Sequence, residues 1–83
     1  MNKTAIPLAF LQIGQNAVIK EIIGGRCLKR RLKEMGLAKG MTVKILKNDH
    51  GPLILALGNS RIALGFGMAR KVLVEKIEVP KAK

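Results

Sequence analysis

A short cationic segment between glycines, residues 24–40, constrains this chain more than any other part of its sequence. It begins with a glycine pair, ends at Gly40 and holds six of the sixteen Lys and Arg residues. Most of the remaining chain consists of short runs of Val, Ile and Leu separated by Gly, Asn and Pro, which is typical of strands joined by tight turns. The sequence therefore predicts a small β domain interrupted by one basic helix.

Apolar periodicity predicts the helix over about residues 26–35. At about 100° per residue, Leu28, Leu32 and Met35 lie on one side and the cations gather on the other. Gly36 stands where a left-handed glycine commonly ends a helix. We call the basic side the cationic face and interpret it as a candidate partner-binding surface. Its members are Arg26, Lys29, Arg30 and Lys33, together with Arg31 on the flank of the apolar side.

About five short strands are predicted around this helix, the first of which precedes it. They cover residues 16–23, 41–47, 52–57, 61–64 and 72–74, the last continued after a break by Ile77 and Val79. The apolar phase slips at Lys20-Glu21, which indicates a bulge, and residues 65–70 are predicted to form one helical turn. A small barrel, in which the last strand pairs with the first, removes exposed edges. An open antiparallel sheet with the helix packed across one face is the alternative.

The ends of the chain are predicted to be flexible tails, at residues 1–7 and 80–83. Between them, Leu8 and Leu11 belong to an apolar lead-in that could anchor the N-terminal part to the core. The strand at residues 53–57 is apolar on both faces. Self-association or burial between the core and the helix would explain it equally well.

The net charge of +11, from sixteen basic and five acidic residues, predicts an anionic partner or surface. Nucleic acid, an acidic protein face and the inner face of a membrane all qualify. The single cysteine excludes an internal disulfide and fits a reducing, cytoplasmic setting. No apolar run approaches the roughly 18–20 residues needed to span a bilayer, so membrane insertion and a signal peptide are not expected.

The chain shows no pattern of an enzyme, and we predict no catalytic residues and no cofactor. The acidic residues are scattered singly, Ser60 is the only serine, and no phosphate-binding loop is present. An arginine of the cationic face could act on a GTPase as an arginine finger, although surface arginines are more often solvated.

Several stretches together resemble the FeoA family, the small cytoplasmic component of bacterial ferrous-iron uptake. The resemblance runs from about Leu8 to Val79 and is densest in the helix and its exit. The matching stretches are Leu8…Leu11…Gly14, Leu28…Arg30-Arg31-Leu32…Glu34-Met35-Gly36-Leu37…Gly40, Arg61-Ile62-Ala63-Leu64 and Ala69…Val72…Val74. It implies one FeoA-like domain over residues 8–79, with a mainly β, SH3-like barrel and a helix inserted after the first strand.

The resemblance also implies a function: a non-enzymatic accessory or regulator that binds the cytoplasmic GTPase region of the transporter FeoB. The protein would then lie in the cytoplasm, at the inner face of the membrane through its partner. Two alternatives remain open. The chain could be a small basic barrel that binds nucleic acid, although stacking aromatics are nearly absent. It could also be a stand-alone domain like the C-terminal SH3-like domain of metal-dependent repressors.

Transition-metal binding is a weaker hypothesis that the family raises. Asp49-His50 is an isolated pair in a turn and Cys27 stands alone, whereas ferrous iron needs several converging ligands. We therefore predict no metal site, and interpret these residues as turn residues and a packed small thiol.

A second candidate surface combines Ile54 with Phe66 and Met68, and could serve a partner or a second copy of the chain. The segment 65–68 departs from the charged run expected in the family, because it holds two glycines and an aromatic residue. No family contact is therefore carried over to this turn, and Phe66 is expected to be exposed.

Overall fold

The computed structural model of the chain describes residues 5–49 and 51–77. It contains six strands, two helices and one short 3₁₀ turn. The strands are β1 (Ile6–Pro7), β2 (Asn16–Ile22), β3 (Thr42–Lys47), β4 (Leu53–Leu57), β5 (Ser60–Leu64) and β6 (Val72–Ile77). The helices are α1 (Arg26–Glu34) and α2 (Phe66–Ala69), and the 3₁₀ turn spans Leu8–Phe10.

All six strands form one antiparallel sheet in the order β1-β6-β2-β3-β4-β5. The pairing of β2 with β6 confirms that the first long strand meets the last. The mainly β class with a helix after that strand is also confirmed. Among the described residues, however, the ladder stops at β1 and β5, so hydrogen bonds do not close the barrel. β1 is a short edge strand with a proline, which lacks the N–H needed to extend the ladder.

Two bulges bend the sheet. In β2 the register with β6 shifts between Ile19 and Glu21, where the sequence predicted a bulge. In β3 the register with β4 shifts between Ile45 and Lys47. Because a bulge increases the local bend and twist of a strand, these two positions curve the sheet around its core.

The core consists of aliphatic side chains that alternate along the strands. Ala17 and Ile19 of β2 and Val43 and Ile45 of β3 are buried, with exposed or half-buried residues between them. The complete buried set is Leu8, Ala9, Leu11, Ala17, Ile19, Leu32, Leu37, Val43, Ile45, Leu53, Leu55, Leu64, Ala69, Val72 and Val74. Within the described residues no polar or charged side chain is buried, so apolar burial dominates the stability of this core.

The lead-in before β2 is anchored as the sequence predicted. Leu8 is fully buried and Leu11 is 1% exposed. Asn48, directly after β3, adds a clamp that the sequence did not reveal. Its Nδ2 donates hydrogen bonds to the carbonyl oxygens of Ala9 (3.2 Å) and Leu11 (2.6 Å). The amide thereby satisfies two backbone acceptors in a segment outside the strand ladder.

Three sequence predictions are corrected here. The expected tail over residues 1–7 is wrong at Ile6 and Pro7, which pair with Val74 and Leu73 because β6 offers them a free edge. The strand count is therefore six rather than five. The break expected after residue 74 is absent, since β6 continues to Ile77 against β2. Val79 and the expected tail 80–83 lie outside the described residues.

Candidate interaction surface on the cationic helix

The start of α1 is set by backbone geometry rather than by a side-chain cap. Gly25 occupies the N-cap position with an extended backbone, and its carbonyl accepts a hydrogen bond from the N–H of Lys29 at 3.1 Å. No side chain caps the free N–H groups, and the first turn contains no acidic residue. Arg26 thus brings a positive charge to the positive end of the helix dipole, a local arrangement that disfavours the helix.

The end of α1 is a Schellman motif, as predicted from Gly36. The N–H of Leu37 donates a hydrogen bond to the carbonyl oxygen of Leu32 at 2.8 Å, and the N–H of Gly36 donates one to the carbonyl oxygen of Lys33 at 2.9 Å. Gly36 has a φ of 97°, which favours glycine. The motif reverses the chain so that Leu37, which is fully buried, packs into the core next to Leu32.

α1 divides its side chains between the core and solvent. Leu32 is fully buried, while Leu28 and Met35 are half-buried against the core cluster. The predicted helix bounds and its apolar side are therefore confirmed. All five members of the cationic face, Arg26, Lys29, Arg30, Arg31 and Lys33, are exposed. The structure places them on one short element but does not test their predicted role as a docking surface.

The cations of α1 repel one another, and Glu34 is the one acidic residue of the helix. Arg26 and Arg30, like Lys29 and Lys33, are four residues apart, where like charges destabilise a helix by about 0.2–0.5 kcal/mol per pair. Within residues 5–49 and 51–77 the one ion pair joins Lys20 Nζ to Glu75 Oε1 at 3.4 Å, between β2 and β6. None of the α1 cations takes part in it. Their arrangement is thus not explained by the stability of the helix.

A cleft lies between α1, the end of β2 and the loop that follows Gly36. Its volume is about 560 Å³. We call it the lysine-rimmed cleft, and its lining residues are Glu21, Ile22, Lys29, Lys33, Leu37, Ala38 and Lys39. Sequence reasoning missed this cleft. The sequence signal that could have revealed it is Gly36 followed by Leu37-Ala38-Lys39. A chain reversal at this glycine brings the apolar residues 37 and 38 beside the basic side of the helix.

A second hollow of about 580 Å³ lies on the outer side of α1. Its lining residues are Arg26, Cys27, Lys29, Arg30 and Lys33. Lys29 and Lys33 therefore form a ridge between the two depressions. Cys27 is exposed and lines this hollow, so its interpretation as a packed thiol was wrong.

The described residues contain no group of three or more His, Cys, Asp and Glu that could hold a metal ion. Asp49 is exposed, and His50, its partner in the sequence hypothesis, lies outside the described residues. The same part of the chain contains no helix long and apolar enough to cross a membrane.

The second candidate surface is only partly exposed. Phe66 is 49% exposed, as expected, while Met68 is half-buried and packs against the core. Ile54 is half-buried on β4 and pairs with Ala63 of β5. Phe66 follows Leu64, whose strand partner is Leu53, so Ile54 and Phe66 lie near the same end of the hairpin.

The apolar strand β4 is fully buried at two positions of one face and half-buried on the other. Leu53 and Leu55 are fully buried, whereas Ile54, Ala56 and Leu57 are half-buried. A Cβ built on Gly36 would lie 3.4 Å from Leu57 Cδ1, so the end of α1 approaches the end of β4. Leu57 lies on the same face of β4 as Leu53 and Leu55, so this approach does not cover Ile54 and Ala56 on the other face.

Fold and surface together define a class: small SH3-like β domains with a basic amphipathic helix inserted after the first long strand. The sequence matches the FeoA domain family over residues 6–76. The chain belongs to the FeoA family.

Individual relatives agree with this assignment. The chain is 39% identical over 72 residues to the candidate Fe(2+) transport protein A of Methanocaldococcus jannaschii, covering 87% of this chain and 88% of that one. It is also similar to a crystal structure of the iron uptake regulatory protein FeoA, with 33% identity and a TM-score of 0.85. That match covers 89% of this chain and all of the other. The zinc-complexed FeoA of Stenotrophomonas maltophilia, described as an SH3 domain protein, is 27% identical with a TM-score of 0.70 and 87% and 89% coverage.

The fold is shared more widely than the family. A manganese-dependent transcriptional repressor matches with a TM-score of 0.83 at 16% identity, over 93% of this chain but 44% of the repressor. At that identity the likeness shows the fold alone. It agrees with the resemblance to the SH3-like domains of metal-dependent repressors noted from the sequence.

Proposed function

We propose that this protein is a non-enzymatic accessory protein of ferrous iron uptake that binds the cytoplasmic part of the FeoB transporter. In this proposal the cationic face of α1 is the docking surface. The protein works in the cytoplasm and reaches the inner face of the membrane through its partner. The observation that carries the proposal is the cluster of five exposed cations, Arg26, Lys29, Arg30, Arg31 and Lys33, none of them ion-paired within the described residues.

Two lines of support converge on this function. The relatives that share the family are named for ferrous iron transport and iron uptake regulation. The cationic face, for its part, disfavours its own helix through like-charge pairs and an arginine in the first turn. An acidic partner surface would offset that repulsion and accelerate association by electrostatic attraction.

Reversal of charge on the cationic face tests the proposal. We expect the triple variant Lys29→Glu, Arg30→Glu, Lys33→Glu to lose most of its binding to purified full-length FeoB in lipid nanodiscs. The matched control is Lys44→Glu, Lys47→Glu, Arg61→Glu, which changes three exposed cations on β3 and β5 and gives the same net charge. Circular dichroism establishes that both variants are folded. Equal binding by the wild type and the α1 variant contradicts the proposed surface.

Nucleic-acid binding is the second candidate function, favoured by the net charge of +11. Contacts to phosphate alone would give affinity that falls steeply with salt. The two phenylalanines, at positions 10 and 66, are not part of α1, and no aromatic residue lines the two depressions beside it, so the cationic face offers no base-stacking platform. A gel-shift titration across salt concentrations, with the same two triple variants, distinguishes this function from docking to FeoB.

We also propose that the surface around Ile54, Phe66 and Met68 contacts a second copy of the chain. Phe66 supports this, since aromatic residues and Met are enriched in protein interfaces. Sedimentation velocity over a range of concentrations tests it: Phe66→Ser is expected to reduce self-association, and a concentration-independent monomer in the wild type excludes it.

A further inference from the structure

We propose that the lysine-rimmed cleft binds a short acidic segment of a partner protein, with one apolar side chain of that segment seated on the cleft floor. The identity of the partner rests on the proposed function. The site and the chemistry of recognition are new, because the cationic face alone would attract any anion, whereas this cleft selects for an acidic segment that also carries an apolar anchor.

The floor of the cleft is apolar and partly open to solvent. Its accessible part is formed by Ile22 at the end of β2 and Ala38 after α1, while Leu37, which also lines the cleft, is fully buried. Ile22 and Ala38 are half-buried. A volume of about 560 Å³ falls in the range of about 300–1,000 Å³ that is typical of ligand pockets. The cleft is therefore large enough to accept a bulky side chain together with part of its backbone.

The rim of the cleft supplies the charge. Lys29 and Lys33 stand on α1 and Lys39 on the following loop, opposed by the single carboxylate of Glu21. Within the described residues none of these lysines is ion-paired. Lysine stems can line an apolar floor while their ammonium groups reach outward. The arrangement fits an apolar residue flanked by Asp or Glu.

The cleft is preformed by backbone hydrogen bonds. The Schellman motif fixes Leu37, and the next turn is closed by bonds from Gly40 N to Ile19 O (2.7 Å) and from Met41 N to Ala38 O (3.0 Å). A floor held at both ends needs little ordering on binding, which favours affinity.

The shape and the lining favour a protein segment over the other anionic partners. A flat lipid surface would contact the lysine ridge but would leave the concave floor empty. Nucleic acid would reach the lysines through phosphate, but no aromatic side chain lines the cleft to stack a base. An apolar anchor between acidic residues uses both the floor and the rim, in the manner of a peptide held in a groove.

Filling the floor without changing the charge tests the inference. Ala38→Phe occupies the cleft, and Ala63→Phe makes the same substitution at an exposed position of β5 as a control. We expect Ala38→Phe to weaken binding to full-length FeoB in nanodiscs by about tenfold or more, as for loss of an interface hot spot. Ala63→Phe should bind as the wild type does.

The outcomes separate this inference from the proposed function. If the wild type and Ala38→Phe bind FeoB equally, the cleft is not the site, and the proposed function stands. If the wild type does not bind FeoB, both proposals fall. Binding to empty nanodiscs of anionic lipid that is equally strong and equally sensitive to Ala38→Phe would assign the cleft to a membrane and overturn the inference.

If Ala38→Phe does not fold, a second variant, Lys39→Glu, tests whether the lysine-rimmed cleft is the binding site. Its control is Lys44→Glu. Both lysines are exposed, and Lys39 alone lines the cleft. Lys39→Glu is expected to weaken binding to FeoB more than Lys44→Glu does, and equal affinities would overturn the inference.

Discussion

The lead-in at residues 8–11 and the outer side of α1 are both short segments without strand partners, yet they relate to the core in opposite ways. In the lead-in, Leu8 and Leu11 are buried and the backbone is clamped by Asn48. On the outer side of α1 every cation is exposed, and none is ion-paired within the described residues. The lead-in therefore stabilises the fold, whereas no stabilising role is visible for the cationic face.

The largest loss of stability is expected for Leu11→Ala, in the lead-in. Removal of a buried leucine side chain leaves a cavity and is expected to lower the free energy of unfolding by about 2–5 kcal/mol. That is a large part of the stability of a domain of this size. Phe10→Ala, at a side chain 65% exposed in the same lead-in, should change it by less than about 0.5 kcal/mol. Urea denaturation followed by circular dichroism measures both, and equal effects would show that Leu11 is not an anchor.

The next effect comes from the amide clamp. Asn48→Ala removes the donor to the carbonyls of Ala9 and Leu11. Loss of a partly buried donor of this kind is expected to destabilise the protein by about 1–3 kcal/mol. Asn48→Asp keeps the shape of the side chain but sets an acceptor against two acceptors, so it should be at least as harmful. Denaturation midpoints of both variants measure the clamp, and a neutral Asn48→Asp would show that the amide does not hold the lead-in.

A smaller effect is expected where α1 joins the core. Gly36→Ala forces a Cβ into a left-handed backbone, which costs about 1–2 kcal/mol, and brings it to 3.4 Å from Leu57 Cδ1. Gly67→Ala is the control, because Gly67 is exposed, does not have a positive φ and has no atom within 4 Å of a built Cβ. Thermal unfolding should separate the two variants. Similar melting temperatures would remove the structural role assigned to Gly36.

The features that were predictable from the sequence are those encoded locally. The helix, its glycine stop and the bulge near Lys20 each follow from spacing within a few residues. β1 and the Asn48 clamp were missed because they depend on contacts between distant parts of the chain, such as Asn48 with Leu11, 37 residues apart. Pairing with a distant strand also explains why the break predicted after residue 74 is absent from β6.

The false break also shows how tertiary contacts override local composition. Glu75 and Lys76 interrupt the apolar run, but β2 pairs with both positions. Glu75 further forms an ion pair with Lys20 of β2. For the candidate site, the cations were visible in the sequence, while the lysine-rimmed cleft required the chain reversal at Gly36 to bring residues 37–39 beside α1.

The smallest expected effect is a gain in stability, caused by a change within the cationic face. Arg26→Glu places an acid in the first turn of α1, where the helix dipole favours it by about 0.3–1 kcal/mol, and removes repulsion with Lys29 and Arg30. We expect a small rise in the free energy of unfolding at low salt, which fades as salt screens the charges. Lys44→Glu, on the exposed side of β3, makes the same change in net charge outside the helix. If Arg26→Glu stabilises the protein more than this control does, Arg26 lowers the stability of α1. That result is expected of a residue whose role is to bind a partner. A loss of stability would instead assign Arg26 to the fold and remove it from the cationic face.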